Sequence, residues 1–587
     1  MEHSHLVTPR TGSYSDGHHT GLSRSAPDRA EPPFEGSGAS EDDEASRCRA
    51  SRDGARGRAG ERGAGRRQPP DHRGADRSGQ GRGTRPETVE RNVLLAGIPY
   101  AQPPVGPLRW RAPVTHRPWQ GLRDATAYGD GCAQQGRLFS PAPSGPHYGL
   151  DVRDGLDEPV GAEDCLTLNV FRPSTAKKDL PVVVFVHGGS NVVGYSADPM
   201  YDGRALARGA DAVVVTVNYR LGVFGWLDLP GLKTGDPAGD SGNFGTLDQI
   251  EALRFVRRNA SAFGGDASNV TVMGESAGAV NVWALMTSPL SRGLTDKAVP
   301  LSGGLKFSAP ARARAYAEAF LDEAVGPGGS REEAVRRLRE LPADEVVRAQ
   351  VRRGAAVGDP PAVLADGVVL PADHHDVVRT GRLRDMPVLA GNTFEEGKLF
   401  GSLVDAYRPT DRERFTKQYF FDPDEPSPFG VRDFIADRYL PADGPGGWNE
   451  AAGRLTDSIF TGIVHDSMDS MREAGNEHLY YYQFGWDREP APFDTVYGAA
   501  HAMDLPFVFG TFDEGLFAFA FSRRNEPGRL QLSKLMTESI RAFVRTGRPQ
   551  HRGLGAHWGR WPHSMVFDAT DRSADARPGS ADGRSRG

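Results

Sequence analysis

The sequence predicts an α/β fold: a mostly parallel central sheet with helices on both faces and helical insertions at its rim. Three observations carry this. Short runs that are apolar at nearly every position, residues 182–186, 211–218 and 269–273, are too brief for helices and read as strands buried on both faces. Stretches of helical period separate them, which is the order of a parallel sheet. The first and third of these runs also lead into glycine-rich turns, and in such sheets ligands bind beyond the carboxyl ends of the strands.

In chain order, Pro181 opens the first strand, which ends abruptly at His187-Gly188-Gly189-Ser190. The second, DAVVVTVN (211–218), ends in Tyr219-Arg220-Leu221-Gly222. Residues 246–265 read as a helix, with Leu247, Ile250, Leu253 and Val256 near one face. Arg257 and Arg258 occupy its last turns, and Gly264-Gly265 is the stop. The third strand runs into Gly274-Glu275-Ser276-Ala277-Gly278, and AVNVWALMTS (279–288) continues as a helix. Residues 308–353, rich in Ala, Arg and Glu, read as rim helices.

Composition sets the outer limits. A chain of 587 residues has room for more than one domain, although single α/β enzymes also reach this size. From residue 35 to 88 there is no Val, Leu, Ile, Met, Phe, Tyr or Trp, so the stretch cannot bury enough apolar surface to offset its ordering entropy. Residues 1–88 are therefore expected to be disordered, 89–572 to form one globular domain, and 573–587 to be a disordered tail. The Arg/Gly-rich stretch has interspersed acids and no aromatics, which speaks against an RNA-binding tail. With net charge -7 and no single-signed block in the body, no nucleic-acid partner is expected. No apolar run is long enough to span a membrane, and the first twenty residues lack the apolar core of a signal peptide. The 3 cysteines, Cys48, Cys132 and Cys165, allow one disulfide with one thiol left over. No Cys-x-x-Cys or His-x-x-x-His pair suggests a metal, and His18-His19 and His374-His375 read as surface histidines.

The chemistry centres on GESAG (274–278), which fits G-x-S-x-G with a strand before it and a helix after it. Its glycines let the chain turn sharply enough to leave Ser276 at the tip. A serine hydroxyl needs a base, and the base needs a carboxylate that fixes its tautomer and stabilises its charge. In this arrangement the order is Ser, then Asp or Glu, then His. Downstream lie Glu395 and Glu396 in LAGNTFEEGKLF and His501 in VYGAAHAMDLPFVFG. From the residues alone, a solvated loop carboxylate at Glu396 and a hydrogen-bonded structural histidine at His501 are the better readings. The segment 391–398 superficially suggests a phosphate loop, but it has the wrong spacing, and Leu399 stands where Ser or Thr is needed.

From about residue 89 to 569 the chain resembles the type-B carboxylesterases, the family of cholinesterases and bacterial p-nitrobenzyl esterases. The blocks that carry the likeness occur in order: AGIPYAQPPVGPLRW (96–110), EDCLTLNVFRP (163–173), NYRLGVFG (218–225), GNFGTLDQ (242–249), FGGDASNVTVMGESAG (263–278), SPLSRGL (288–294) and HAMDLPFVFG (501–510). The resemblance implies an α/β-hydrolase fold and hydrolysis of carboxylic esters through an acyl-enzyme. It puts the catalytic serine on Ser276, the acid on Glu396 and the histidine on His501. The oxyanion-hole amides fall on Gly189, Ser190 and Ala277, and the family disulfide on Cys132 and Cys165. A serine supporting the triad from behind falls on Ser302.

Departures qualify the likeness. Ser190 stands where most active members have a third glycine, and Asn191 where an aromatic is common. A non-catalytic adhesion branch has a similar HGGS but lacks the nucleophile that Ser276 supplies here. The loop from Cys132 to Cys165 contains Phe139 and Tyr148 but no Trp, so a quaternary-ammonium substrate is not indicated. The family opens with a β-hairpin before GIPYA, of which only VERNVLLAGIPYA is present, so the preceding stretch is not expected to be the natural start. The expectation is thus a serine carboxylesterase acting on a small-molecule ester without metal or organic cofactor, as a monomer or weak homo-oligomer. The alternatives are another acyl hydrolase (lipase, thioesterase, amidase) or a binding module on an esterase scaffold. A disulfide implies an oxidising compartment; the protein is expected to be secreted if its natural start carries a signal and cytoplasmic otherwise.

Overall fold

A computed structural model describes residues 92–119, 121–354 and 360–580, together with the backbone of Cys48–Arg49, which pairs in parallel with Arg123–Asp124. Apart from that pair, the expected disorder of residues 1–88 and the Cys48 thiol lie outside the described residues.

The central sheet has ten strands. They are β1 (Asn92–Pro99), β2 (Thr167–Pro173), β3 (Leu180–Val186), β4 (Val213–Val217), β5 (Gly265–Glu275), β6 (Lys297–Leu301), β7 (Val388–Thr393), β8 (Leu479–Phe484), β9 (His563–Ala569) and β10 (Ala574–Ser580). Their spatial order is β10-β9-β8-β7-β6-β5-β3-β4-β2-β1. The run from β4 to β9 is parallel, with β2 and β1 antiparallel at one edge and β10 at the other. The principal helices are α1 (Gly203–Ala210), α2 (Phe244–Asn259), α3 (Ala277–Thr287), α4 (Pro310–Val325), α5 (Arg331–Glu340), α6 (Ala343–Arg353), α7 (Trp448–Leu455), α8 (Gly462–Glu473) and α9 (Glu526–Thr546).

The unbroken apolar runs now have their physical reason. Alternate residues of a strand point to opposite faces, and both faces are covered. Val183 and Phe185 of β3 join a core with Leu206 of α1 and Leu532, Met536 and Ile540 of α9. Val182, Val184 and Val186 join a second core with Ile250, Leu253 and Val256 of α2 and Val282 of α3. The Ala/Arg/Glu-rich stretch forms α4 to α6, which pack through Tyr316, Phe320, Leu338 and Val346 onto Trp110 and Phe224 as a separate rim cluster. Helix α2 stops five residues before the expected glycine stop; residues 260–264 turn the chain so that Gly265 already belongs to β5.

The tail expected from residue 573 is corrected: Ala574–Ser580 is an edge strand paired over its whole length with β9. An edge strand is held through main-chain bonds on one side and shows most of its side chains to solvent, so it needs no apolar run. Pro578 is tolerated there because an edge position need not donate to a second neighbour.

Cys132 and Cys165 are joined by a disulfide, 33 residues apart in sequence. The closed loop supplies Gln135, Arg137 and Phe139 to the rim of the cavity described next. Loop closure of this length stabilises the fold by about 4 kcal/mol through the unfolded chain. Cys165→Ser should therefore lower the urea-unfolding free energy by about 3 to 4 kcal/mol; an unchanged midpoint would contradict this.

Candidate active site

Ser276 stands between the end of β5 and the start of α3, with φ 58° and ψ −123°, a conformation that a β-strand running directly into a helix imposes. Its amide donates to Leu301 O at 2.8 Å, tying the turn to β6. Gly278 is required by close approach: a Cβ there would lie 2.1 Å from Val186 O.

The other two members arrive from the carboxyl ends of neighbouring strands, Glu396 after β7 and His501 after β8. His501 Nδ1 lies 2.5 Å from Glu396 Oε2. The second oxygen of Glu396 accepts three bonds: from Ser302 Oγ at 2.6 Å, Asn392 Nδ2 at 3.0 Å and the Thr393 amide at 2.8 Å. Burial works against the charge of Glu396, but the His501 cation and the donated hydrogen bonds hold its carboxyl below the usual range. Glu395 points elsewhere, accepting from the Ala499 amide and pairing with Lys398 at 3.0 Å.

On the other side of the imidazole, His501 Nε2 faces Glu275 Oε1 at 2.9 Å, off the axis of a linear hydrogen bond, so the contact is an ion pair. Burial by itself would lower the basicity of His501. Glu275 and Glu396 outweigh burial and push its pKa up to about 10. The imidazole is therefore a cation at neutral pH in this state, and among the described residues Ser276 Oγ has no hydrogen-bond partner. To act as a base toward Ser276, Nε2 must both lose its proton and turn away from Glu275; catalytic hydrogen bonds commonly tighten only once substrate is bound.

Ser276 and His501 open onto a cavity of about 240 Å³ with mostly apolar walls, among them Phe139, Val192, Met200, Tyr201, Leu399 and Phe400. Gly189 and Ser190 lie on the same wall. Gly189 has φ 97°, and a Cβ on it would lie 2.2 Å from Val193 O. Ser190 has φ 56° with its side chain exposed to the cavity. The Gly189 and Ser190 amides meet no acceptor among the described residues. Ala277 is the first residue of α3, whose amide has no partner within the helix. No group of His, Cys, Asp and Glu among the described residues is arranged to hold a metal ion.

Ser276, Glu396, His501 and Ser302 thus converge, and Gly189, Ser190 and Ala277 supply free or helix-initial amides beside them. Sequence reasoning missed Glu275 on Nε2, although it is the variable residue of GESAG itself. It also missed Asn392 and Thr393, in the NT that precedes the acid.

Comparison with known proteins gives the family of the chain. A family model described as the carboxylesterase family matches residues 77–573. The chain is 33% identical over 485 residues to the para-nitrobenzyl esterase of Bacillus subtilis, covering 81% of this chain and 90% of that one. It is 33% identical over 490 residues to the fumonisin B1 esterase of Sphingopyxis macrogoltabida, covering 81% and 83%. Among solved structures, a thermophilic p-nitrobenzyl esterase superposes with a TM-score of 0.65 at 30% identity, covering 83% of this chain and 94% of that one.

Since the Glu275 carboxylate raises the basicity of His501, Glu275→Gln should lower it. In an NMR titration with labelled histidine, the wild-type imidazole should stay protonated until close to pH 10, and the variant should lose its proton at distinctly lower pH. Coincident titrations would show that Glu275 does not act on His501.

Proposed function

The chain belongs to the carboxylesterase family and is a serine carboxylesterase; from that premise we propose that Ser276, His501 and Glu396 are its catalytic triad and that Gly189, Ser190 and Ala277 form its oxyanion hole. The observation that supports this best is the joining of one imidazole to Glu396 while its other nitrogen and the Ser276 hydroxyl share a single cavity with the Gly189–Ser190 turn.

Substrate enters with its carbonyl oxygen toward the three amides. The imidazolium first gives up its Nε2 proton to solvent through the cavity and swings off Glu275; the neutral Nε2 then accepts the Ser276 proton as Oγ attacks the carbonyl carbon. Negative charge that develops on the carbonyl oxygen is met by donors already in place, each worth about 3 to 4 kcal/mol of barrier. Glu396, fixed by Ser302, Asn392 and Thr393, keeps the Nδ1 proton in position and stabilises the imidazolium. The proton passes from Nε2 to the departing alcohol, and water activated by the same nitrogen then releases the acid from Ser276. No step calls for a metal or an organic cofactor. The apolar walls and modest volume of the cavity favour compact esters. Residues 89 to about 580 act as one catalytic unit.

A fluorophosphonate probe should label the wild-type protein at Ser276 and leave Ser276→Ala unlabelled and inactive toward p-nitrophenyl esters; folded wild-type protein that resists labelling would overturn the assignment. Ser190 carries left-handed backbone strain of about 1 to 3 kcal/mol, and its hydroxyl has no hydrogen-bond partner among the described residues. Ser190→Gly should therefore keep kcat and raise the melting temperature, since the relief exceeds the roughly 0.5 to 1 kcal/mol that glycine loses in ordering. A large fall in kcat would instead give the side chain a role in the reaction.

A further inference from the structure

The hole amides sit on two separate pieces of chain, and hydrogen-bonding geometry at an oxyanion tolerates little displacement. The Gly189–Ser190 turn is followed by Asn191, which is left-handed at φ 60°, 4% exposed, and faces inward. Asn281 belongs to α3, is fully buried, and lies four residues beyond Ala277, on the same helix face. Asn281 Nδ2 donates to Asn191 Oδ1 at 2.8 Å. The Asn191 carbonyl accepts from the Gly222 amide at 2.7 Å. On the other side of the turn, Tyr219 stacks on the His187 ring at 4.5 Å and donates to the His187 carbonyl at 2.7 Å.

We propose that Asn191 and Asn281 are positioning residues for ester hydrolysis: their side-chain hydrogen bond fastens the Gly189–Ser190 turn to the helix whose first amide completes the oxyanion hole. The inference rests on the hole assigned above. The physical need is specific. Ser190 and Asn191 are consecutive non-glycine residues in the left-handed region, so the turn stores strain that would relax and redirect its amides unless something holds it. Asparagine suits both demands, because it tolerates positive φ better than most residues and its amide bonds locally. The Asn191–Asn281 bond spans 90 residues of sequence and lies in the interior, where removing Asn191 leaves the Asn281 amide nitrogen unsatisfied, while Asn191 Oδ1 also accepts from the Tyr219 hydroxyl at 3.4 Å.

The test is a mutant cycle on the full chain with Asn191→Gly, Asn281→Ala and the double variant. Asn191→Gly removes the amide but keeps the left-handed backbone accessible, so it stays informative where Asn191→Ala would not fold. Each single variant should lose about tenfold to a hundredfold in kcat with KM within about twofold of wild type, the effect of a small misplacement of reacting geometry. Affinity for a trifluoromethyl ketone, which forms an oxyanion on Ser276, should fall in proportion to kcat/KM, whereas binding of the parent methyl ketone should not change. The double variant should lose no more than the worse single one, because both remove the same bond. Single variants with kcat within twofold of wild type, additive losses, or equal weakening of both ketones would overturn the proposal. Ser276→Ala in the same assays separates the two readings: if it abolishes turnover while Asn191→Gly keeps kcat within twofold of wild type, the positioning role alone fails, and if it retains turnover, the triad assignment fails.

Discussion

The site is organised around one imidazole enclosed between two buried carboxylates. Taking three ionisable groups out of water is expensive and is repaid only when geometry and hydrogen bonding are good. The repayment is visible at Glu396, whose second oxygen takes three donors from two separate parts of the chain, Ser302 and the Asn392-Thr393 pair. Those donors are held by the sheet. Ser302 follows β6 directly, its amide donates to Gly391 O on β7, and Leu301 pairs with Gly391 in register. The distance from Ser302 to Glu396 is therefore a property of strand pairing, as is the placement of His501 beyond β8, which pairs along the length of β7. A nearby acid shares the same field: burial, and the charges of Glu275 and Glu396, push Asp504 up to about 7 although Tyr482 donates to it at 2.5 Å. The polar centre is the least forgiving part of the interior, and the parallel sheet is what makes it affordable.

The backbone pays attention to the same place. Of the eleven non-glycine residues with positive φ among the described residues, Ser190, Asn191, Ser276, Ser302 and Ala502 all lie on or beside the site. Residues in such conformations persist only where surrounding structure over-determines them. Here the over-determination comes from strand ends that cannot move and from side chains that lock each turn. Ser276 is held by its bond to Leu301, Ser302 by its bond to Gly391, and Asn191 by Asn281.

These two facts explain which parts were legible in the sequence. Strands β3, β4 and β5 were legible because burial on both faces forces continuous apolar runs, which few other structures produce. The turn that carries the proposed nucleophile was legible because a strand, two glycines and a helix mark it in the sequence. The pairing of Glu396 with His501 was readable only through the family resemblance, since they are brought together across two strand connections. Strand β10 was not legible, because main-chain pairing at an edge leaves no mark on side chains. Glu275 escaped for a related reason: strand alternation directs it away from its neighbour, and only the sharp turn at Ser276 brings both side chains to one imidazole.

That last arrangement joins the ground state to the reaction. A base works best with a pKa near the working pH, and His501 in the resting geometry is more basic than that because Glu275 and Glu396 together outweigh its burial. Yet the cation that Glu275 favours is the species that the proton transfer from Ser276 creates. The carboxylate therefore opposes the start of the step and favours its outcome, and the balance is decided by whether Nε2 points at Glu275 or at Ser276. Since Glu275 and Ser276 are adjacent residues at one sharp turn, the proposed reaction has Nε2 exchange the Glu275 carboxylate for the Ser276 hydroxyl, which donates to it, while Nδ1 keeps its bond to Glu396. A rigid acid and a mobile second nitrogen are thus complementary requirements, and the three-donor cradle around Glu396 is what permits the mobility at Nε2.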